Sequence, residues 1–235
     1  MLRARQVAAA TGILAYISGF VGSLALGSNQ PGAADSVASV QSYIARYSFV
    51  IYMHHTFLAL DSVLVLCFAV FLCGVLRQAE GESGTFASIA LAAAAVAVAA
   101  DLMVLAVHSA TFVPAANTVD QRVLATAVLR ELTILELFPW AAFFAGVAVV
   151  SLTRRALPGW LGWSSVILAV LDLAVAAWSG LTGVNASLDV QSFIPAFLAI
   201  YLLPQFWMVA ASVVLLRREL TRPAAVSKTS PATSV

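Results

Sequence analysis

Charge is scarce in this sequence. Only 10% of its 235 residues are Asp, Glu, Lys or Arg, while 62% are hydrophobic; an ordinary globular chain is about 25% charged. So few charges cannot solvate a soluble domain of this length, so the composition excludes one and points to the bilayer. The balance of sign is nearly flat, with a formal net charge of +1. No basic stripe interleaved with aromatics is present, so nucleic acid is excluded as a partner. There are two cysteines. Cys67 and Cys73 lie six residues apart in one apolar run, too distant on a helix for a disulfide, and read as buried apolar filler. Catalytic signatures are missing too. There is no GxSxG, no Walker loop, no dinucleotide glycine pattern and no HExxH, so nucleophilic serine and nucleotide chemistry have no support. Neither a cofactor nor a metal is expected.

What is present is long apolar runs, at about 7–27, 47–76, 85–108, 119–152, 159–182 and 192–216, each sufficient for the ~20 residues that cross a bilayer. The expected fold is all-α, an integral membrane bundle of six transmembrane helices spanning 1–219, with an Ala/Ser/Thr/Pro-rich disordered tail over 220–235. The first run reads as a retained helix, since Thr11 to Leu26 is long enough to span and Ala-Leu-Gly-Ser is a poor cleavage site. Arg3, Arg5, Arg77, Arg154, Arg155, Arg217, Arg218, Arg222 and Lys228 fall on one side, against Arg46 and Arg122 on the other, which places both termini in the cytoplasm of a multi-pass cell-membrane protein.

Local signals set several helix ends. Thr118-Val119-Asp120-Gln121 is a capping box that should start the fourth helix, and Pro139 should kink it. Val37, Val40, Ile44 and Tyr47 recur at helical spacing, which fits either a short interfacial helix or an extension of the second helix. The small-residue tract Ala92 to Ala100 predicts close packing of the third helix. After Arg154 and Arg155, the segment Leu157-Pro158-Gly159-Trp160-Leu161-Gly162-Trp163 supplies a helix-starting proline and two interfacial tryptophans. This entry into the fifth of six helices resembles a group of actinobacterial six-helix membrane proteins of unknown function. The resemblance covers most of the chain in length and helix layout. It implies a bacterial source and brings no catalytic residues with it.

The polar residues inside the runs carry the functional reading. Tyr52-Met53-His54-His55-Thr56-Phe57-Leu58-Ala59-Leu60-Asp61 sets two imidazoles and a carboxylate in an apolar stretch, a costly placement in hydrocarbon. Counted from the cytoplasmic charged boundary of each helix, Asp61, Asp101, Glu136 and Asp172 lie at about 24, 28, 27 and 26 Å, within one turn of each other. His54, His55, Arg130 and Glu131 come one or two turns above that layer, and His108 near the outer water. A polar pocket open to the outside accommodates all of them.

In such a low-dielectric pocket a carboxylic acid stays protonated and serves as a general acid, while a histidine or ionised carboxylate accepts protons. The sequence therefore nominates Asp61, Glu136, His54, His55, Asp101 and Asp172 for acid–base work, with Arg130, Glu131, Trp140 and Trp207 as substrate contacts. Histidine and carboxylate are also metal-ligating types, yet no metal spacing joins them. An enzyme of isomerase or cyclase type on a lipophilic, isoprenoid-like molecule drawn from membrane lipid fits this set. Two other classes fit as well: a proton-coupled transporter, hinted at by Leu60-Asp61 and Leu171-Asp172 in matching positions of two halves, and an accessory subunit without chemistry of its own.

Overall fold

The computed structural model describes residues 2–25, 35–112, 118–182 and 190–221. Every regular element among them is an α-helix: α1 (Leu2–Ala25), α2 (Val37–Glu80), α3 (Thr85–Ala110), α4 (Val119–Arg154), α5 (Gly159–Thr182) and α6 (Val190–Thr221). Helices α1 to α5 each contain a segment long and apolar enough to cross a membrane. The expected tail falls largely on 222–235, outside the described residues, and α6 itself continues to Thr221.

Each helix packs on its neighbours in chain order, and α6 returns to α1, so the six close a ring; α2 also meets α4 across it. Large apolar side chains such as Phe49, Val63, Val70, Ile89, Met103, Leu135, Ile167 and Val170 face outward, an arrangement that suits hydrocarbon rather than water. Inside, Phe68, Leu72, Leu76, Phe143, Phe144, Leu157, Leu161, Trp207 and Leu215 form the largest packed cluster. Cys73 belongs to it, but Cys67 is exposed on the outer face, which corrects the reading of both cysteines as buried. Six residues is 600° at 100° per residue, so the two thiols leave the helix about 120° apart, on different faces.

The helix ends follow local chemistry. Thr118 and Gln121 form both arms of the capping box, with Gln121 N donating to Thr118 Oγ1 at 3.2 Å and Thr118 N to Gln121 Oε1 at 3.0 Å. Arg122, one residue further on, is buried and donates to the carbonyl of Asp35, tying the start of α4 to the lead-in of α2. The segment before the second apolar run meets the rest of α2 across a kink at Tyr47, which leaves helical geometry (φ −117°, ψ 17°), so a short helix joins the long one directly. Between α2 and α3 the chain turns through Gly81 and Gly84, both at positive φ. The Glu80 carboxylate reaches across to accept the amides of Phe86 and Ala87, each at 3.0 Å, satisfying free donors at the start of α3.

Small residues govern the closest crossing. Ala87, Ala90, Ala94 and Ala97 recur at i, i+3, i+7 and i+10 on the buried face of α3, and opposite them Gly146 of α4 leaves no room for a side chain: a Cβ there would stand 3.0 Å from Ala90 Cβ and from the Phe86 carbonyl oxygen. Close backbone approach of this kind is how helices associate without a hydrophobic drive. At the arginine-bearing end, Arg218 donates to the Ala156 carbonyl at 2.5 Å and Arg5 pairs with Glu219 at 3.8 Å, fastening α6 to the α4–α5 link and to α1. Trp160 and Trp163 face outward there while Leu157 and Leu161 are buried, so the Leu-Pro-x-Trp-Leu-Gly-Trp segment separates anchoring from packing.

Candidate functional site

The ring holds a partly open cavity of about 90 Å³ whose lining includes a carboxyl group from each of four helices: Asp61 of α2, Asp101 of α3, Glu136 of α4 and Asp172 of α5. Helix α6 contributes Tyr201 and Gln205, and Trp140, Phe144, Pro204 and Met208 supply apolar wall. Glu136 is 4% exposed and Asp172 1%, so these acids face inward. Several contacts fix their positions. Ser62 Oγ donates to Asp101 Oδ2 at 2.5 Å, Tyr201 Oη donates to Glu136 Oε1 at 3.5 Å, and Gln205 hydrogen-bonds the Asp61 side chain. Gly19 of α1 makes space for Asp61: a Cβ on it would lie 3.0 Å from Oδ2 and 3.1 Å from Cγ.

Those bonds leave capacity unused. Asp61 Oδ1, Glu136 Oε2, Asp172 Oδ2 and Gln205 Oε1 are buried and have no hydrogen-bond partner among the described residues. An unpaired buried polar group costs about 1–3 kcal/mol, which sets these oxygens apart from the packed apolar core around them. No cationic side chain among the described residues lines the cavity. Four carboxyl groups lining one such space repel one another when ionised.

A second cluster sits about two turns along α2. His54 and Asp61 are seven residues apart, about 10 Å of helix rise. His54 Nδ1 lies 2.8 Å from the carbonyl of Gly22 on α1, and His55 Nδ1 lies 2.7 Å from the carbonyl of Ile51. His108 of α3 joins them, with its ring centroid 5.8 Å from that of His54 and 5.3 Å from that of His55. One nitrogen from each of the three rings lies within 4.8 Å of the others. Phe112 covers the group, 5.8 Å from His55 and 5.2 Å from His108.

This placement corrects the reading of His108 as lying above the other two histidines. Depth on α2 was counted from Arg77, but the helix continues to Glu80 before a tight turn. Measured from that turn, His54 stands about 39 Å up α2 and His108 about 35 Å up α3 at 1.5 Å per residue, which brings them level.

The other nominated residues divide. Trp140 lines the cavity, whereas Arg130, half-buried, and Glu131, exposed, do not. Trp207 does not either; it packs edge-on against Phe144 at 5.3 Å and Phe143 at 6.2 Å and donates its indole N–H to the Leu161 carbonyl, a core role. Three contributors were missed. Ser62 is a hydroxyl adjacent to Asp61 in the same run, and Tyr201 and Gln205 stand at i and i+4 within the sixth run; the spacing of those two on one helical face was the available signal. Comparison with known protein families, with curated proteins and with solved structures finds no match to this chain.

Proposed function

We propose that this is an integral protein of the cell membrane, with both termini on the cytoplasmic side, whose carboxyl cavity takes up and passes on protons. The observation that carries the reading is the convergence of Asp61, Asp101, Glu136 and Asp172 on one partly open space, with oxygens on three of them unpartnered among the described residues. Buried acids are costly in a bilayer and mark proton or ion pathways. The distribution of arginines supports the orientation.

Size favours one of the chemistries that such a cavity supports. A water position needs roughly 10–15 Å³ on this measure, so a space of about 90 Å³ admits a short chain of waters and not a polyprenyl tail. Proton-coupled movement of a small solute is therefore the first reading. The pairing of Asp61 on α2 with Asp172 on α5, each preceded by leucine, supports it as a relic of two related halves. A second reading, acid–base conversion of a lipophilic molecule, is favoured by the apolar wall of Trp140, Phe144, Pro204 and Met208, and requires the helices to part for entry.

The test is proton flux into liposomes holding purified protein and a trapped pH dye, driven by a potassium diffusion potential with and without mixed small amines, acids and neutral solutes. Flux above empty liposomes, lowered about tenfold or more by Asp61→Asn or Glu136→Gln, is expected. Background flux together with carboxyl-dependent turnover of a polyprenyl substrate would replace the first reading by the second. Neither activity would leave an accessory role.

A further inference from the structure

The histidine cluster is separate from the carboxyl cavity, and its tautomers can be assigned from its hydrogen bonds. A backbone carbonyl only accepts, so the 2.8 Å contact of His54 Nδ1 with the Gly22 carbonyl and the 2.7 Å contact of His55 Nδ1 with the Ile51 carbonyl place the ring proton on Nδ1 in both residues. Each Nε2 then carries a lone pair and can only accept. Neutral His108 has one N–H to offer, which satisfies at most one of them. His55 Nε2 is the acceptor left unmet: it is buried and has no hydrogen-bond partner among the described residues. A third imidazole against two acceptors, covered by Phe112, is a poor way to fill apolar space and a good way to hold a cation.

We propose that His54, His55 and His108 bind a borderline divalent metal ion, zinc(II) first, at the end of the bundle where α1 and α3 terminate. Neutral imidazole is the ligand type such ions favour, and a ligating histidine characteristically donates its other ring N–H to a carbonyl or carboxylate. Two of the three already do so. Tetrahedral zinc with Zn–N bonds near 2.0–2.1 Å requires ligand nitrogens about 3.3 Å apart. One nitrogen of each ring stands within 4.8 Å of the others, so the rings must turn to bring Nε2 of His54 and His55 and a nitrogen of His108 to the ligating spacing. Three protein ligands leave a fourth position for water, the open arrangement of an exchangeable or reactive site rather than a sealed structural one. Helices α2 and α3 are thereby joined at the end opposite their short turn.

The experiment uses the full-length chain without a histidine tag, in detergent, stripped with a chelator and equilibrated with zinc(II), then with cobalt(II) as a spectroscopic probe. Expected are about one zinc per chain by elemental analysis, intense visible bands of four-coordinate cobalt, and a loss of zinc affinity of about tenfold or more in His55→Ala and in His108→Ala. Asp61→Asn should retain the ion. His54 is left intact because it also anchors α1. Should a variant misfold by circular dichroism, the wild-type stoichiometry and cobalt spectrum decide alone. Zinc content well under one equivalent overturns the proposal, as do an octahedral cobalt spectrum, affinity unchanged in folded His108→Ala, or loss of the ion in Asp61→Asn.

Discussion

Alanine at Gly19 and alanine at Gly146 are one chemical change made at two helix crossings, with different expected consequences. Each removes a mid-helix glycine, which alone should stabilise by about 0.5–1 kcal/mol. At Gly146 the new Cβ would stand 3.0 Å from Ala90 Cβ and 3.0 Å from the Phe86 carbonyl oxygen. Neither neighbour has a rotamer to change, so α3 and α4 must separate along their alanine face. Overpacking of this kind costs about 1–3 kcal/mol, for a net loss of about 1 kcal/mol, or a melting temperature lower by about 2–4 °C in a chain of this length. At Gly19 the neighbour is the Asp61 carboxyl group, 3.0 Å from Oδ2 and 3.1 Å from Cγ. That side chain can turn, at a cost of about 0.5–1.5 kcal/mol, which roughly cancels the gain in helix propensity. Stability should therefore hold while Asp61 is displaced from Gln205, and carboxyl-dependent proton flux should fall by about two- to tenfold. Thermal unfolding in one detergent and the liposome assay read the two effects separately. A Gly146→Ala melting temperature at or above wild type would refute the packing argument. A Gly19→Ala loss as large as that of Gly146→Ala would refute the claim that Asp61 absorbs the change.

Three further outcomes are expected. Ser62→Ala removes the donor 2.5 Å from Asp101 Oδ2 and should lower stability by about 1–3 kcal/mol; an unchanged thermal unfolding curve would mean that bond carries no weight. Thr118→Ala removes one arm of the α4 capping box and should cost about 1 kcal/mol, with faster hydrogen exchange confined to the first turn of α4; exchange unchanged there would argue against the cap. In a background with Cys67 and Cys73 replaced by alanine, single cysteines at Ala79 and Asp120 should react with an impermeant maleimide from opposite faces of the membrane, residue 79 from the cytoplasm. Labelling of both from one face would sink the proposed topology.

Secondary structure was legible because its determinants are local. A hydroxyl and an amide three residues apart cap α4 at Thr118, a proline opens α5 at Pro158, and apolar length alone marks helices fit to cross a bilayer, with no distant residue consulted. The shared depth of Asp61, Asp101, Glu136 and Asp172 was legible for a related reason, since a helix is a ruler of fixed rise and its boundaries are marked by charge. Rotation about each helix axis was not. Trp140 and Trp207 are equally plausible pocket aromatics by composition, and only the packing of α4 and α6 turned one into the cavity and the other into the core against Phe143 and Phe144. The meeting of His108 with His54 and His55 depended on where the α2–α3 turn falls, three residues past the charge that seemed to end α2. Short-range capping and burial set where each helix begins and ends. Which faces meet is decided by side-chain volume across crossings such as Gly146 on Ala90, and no property of a single helix contains that information.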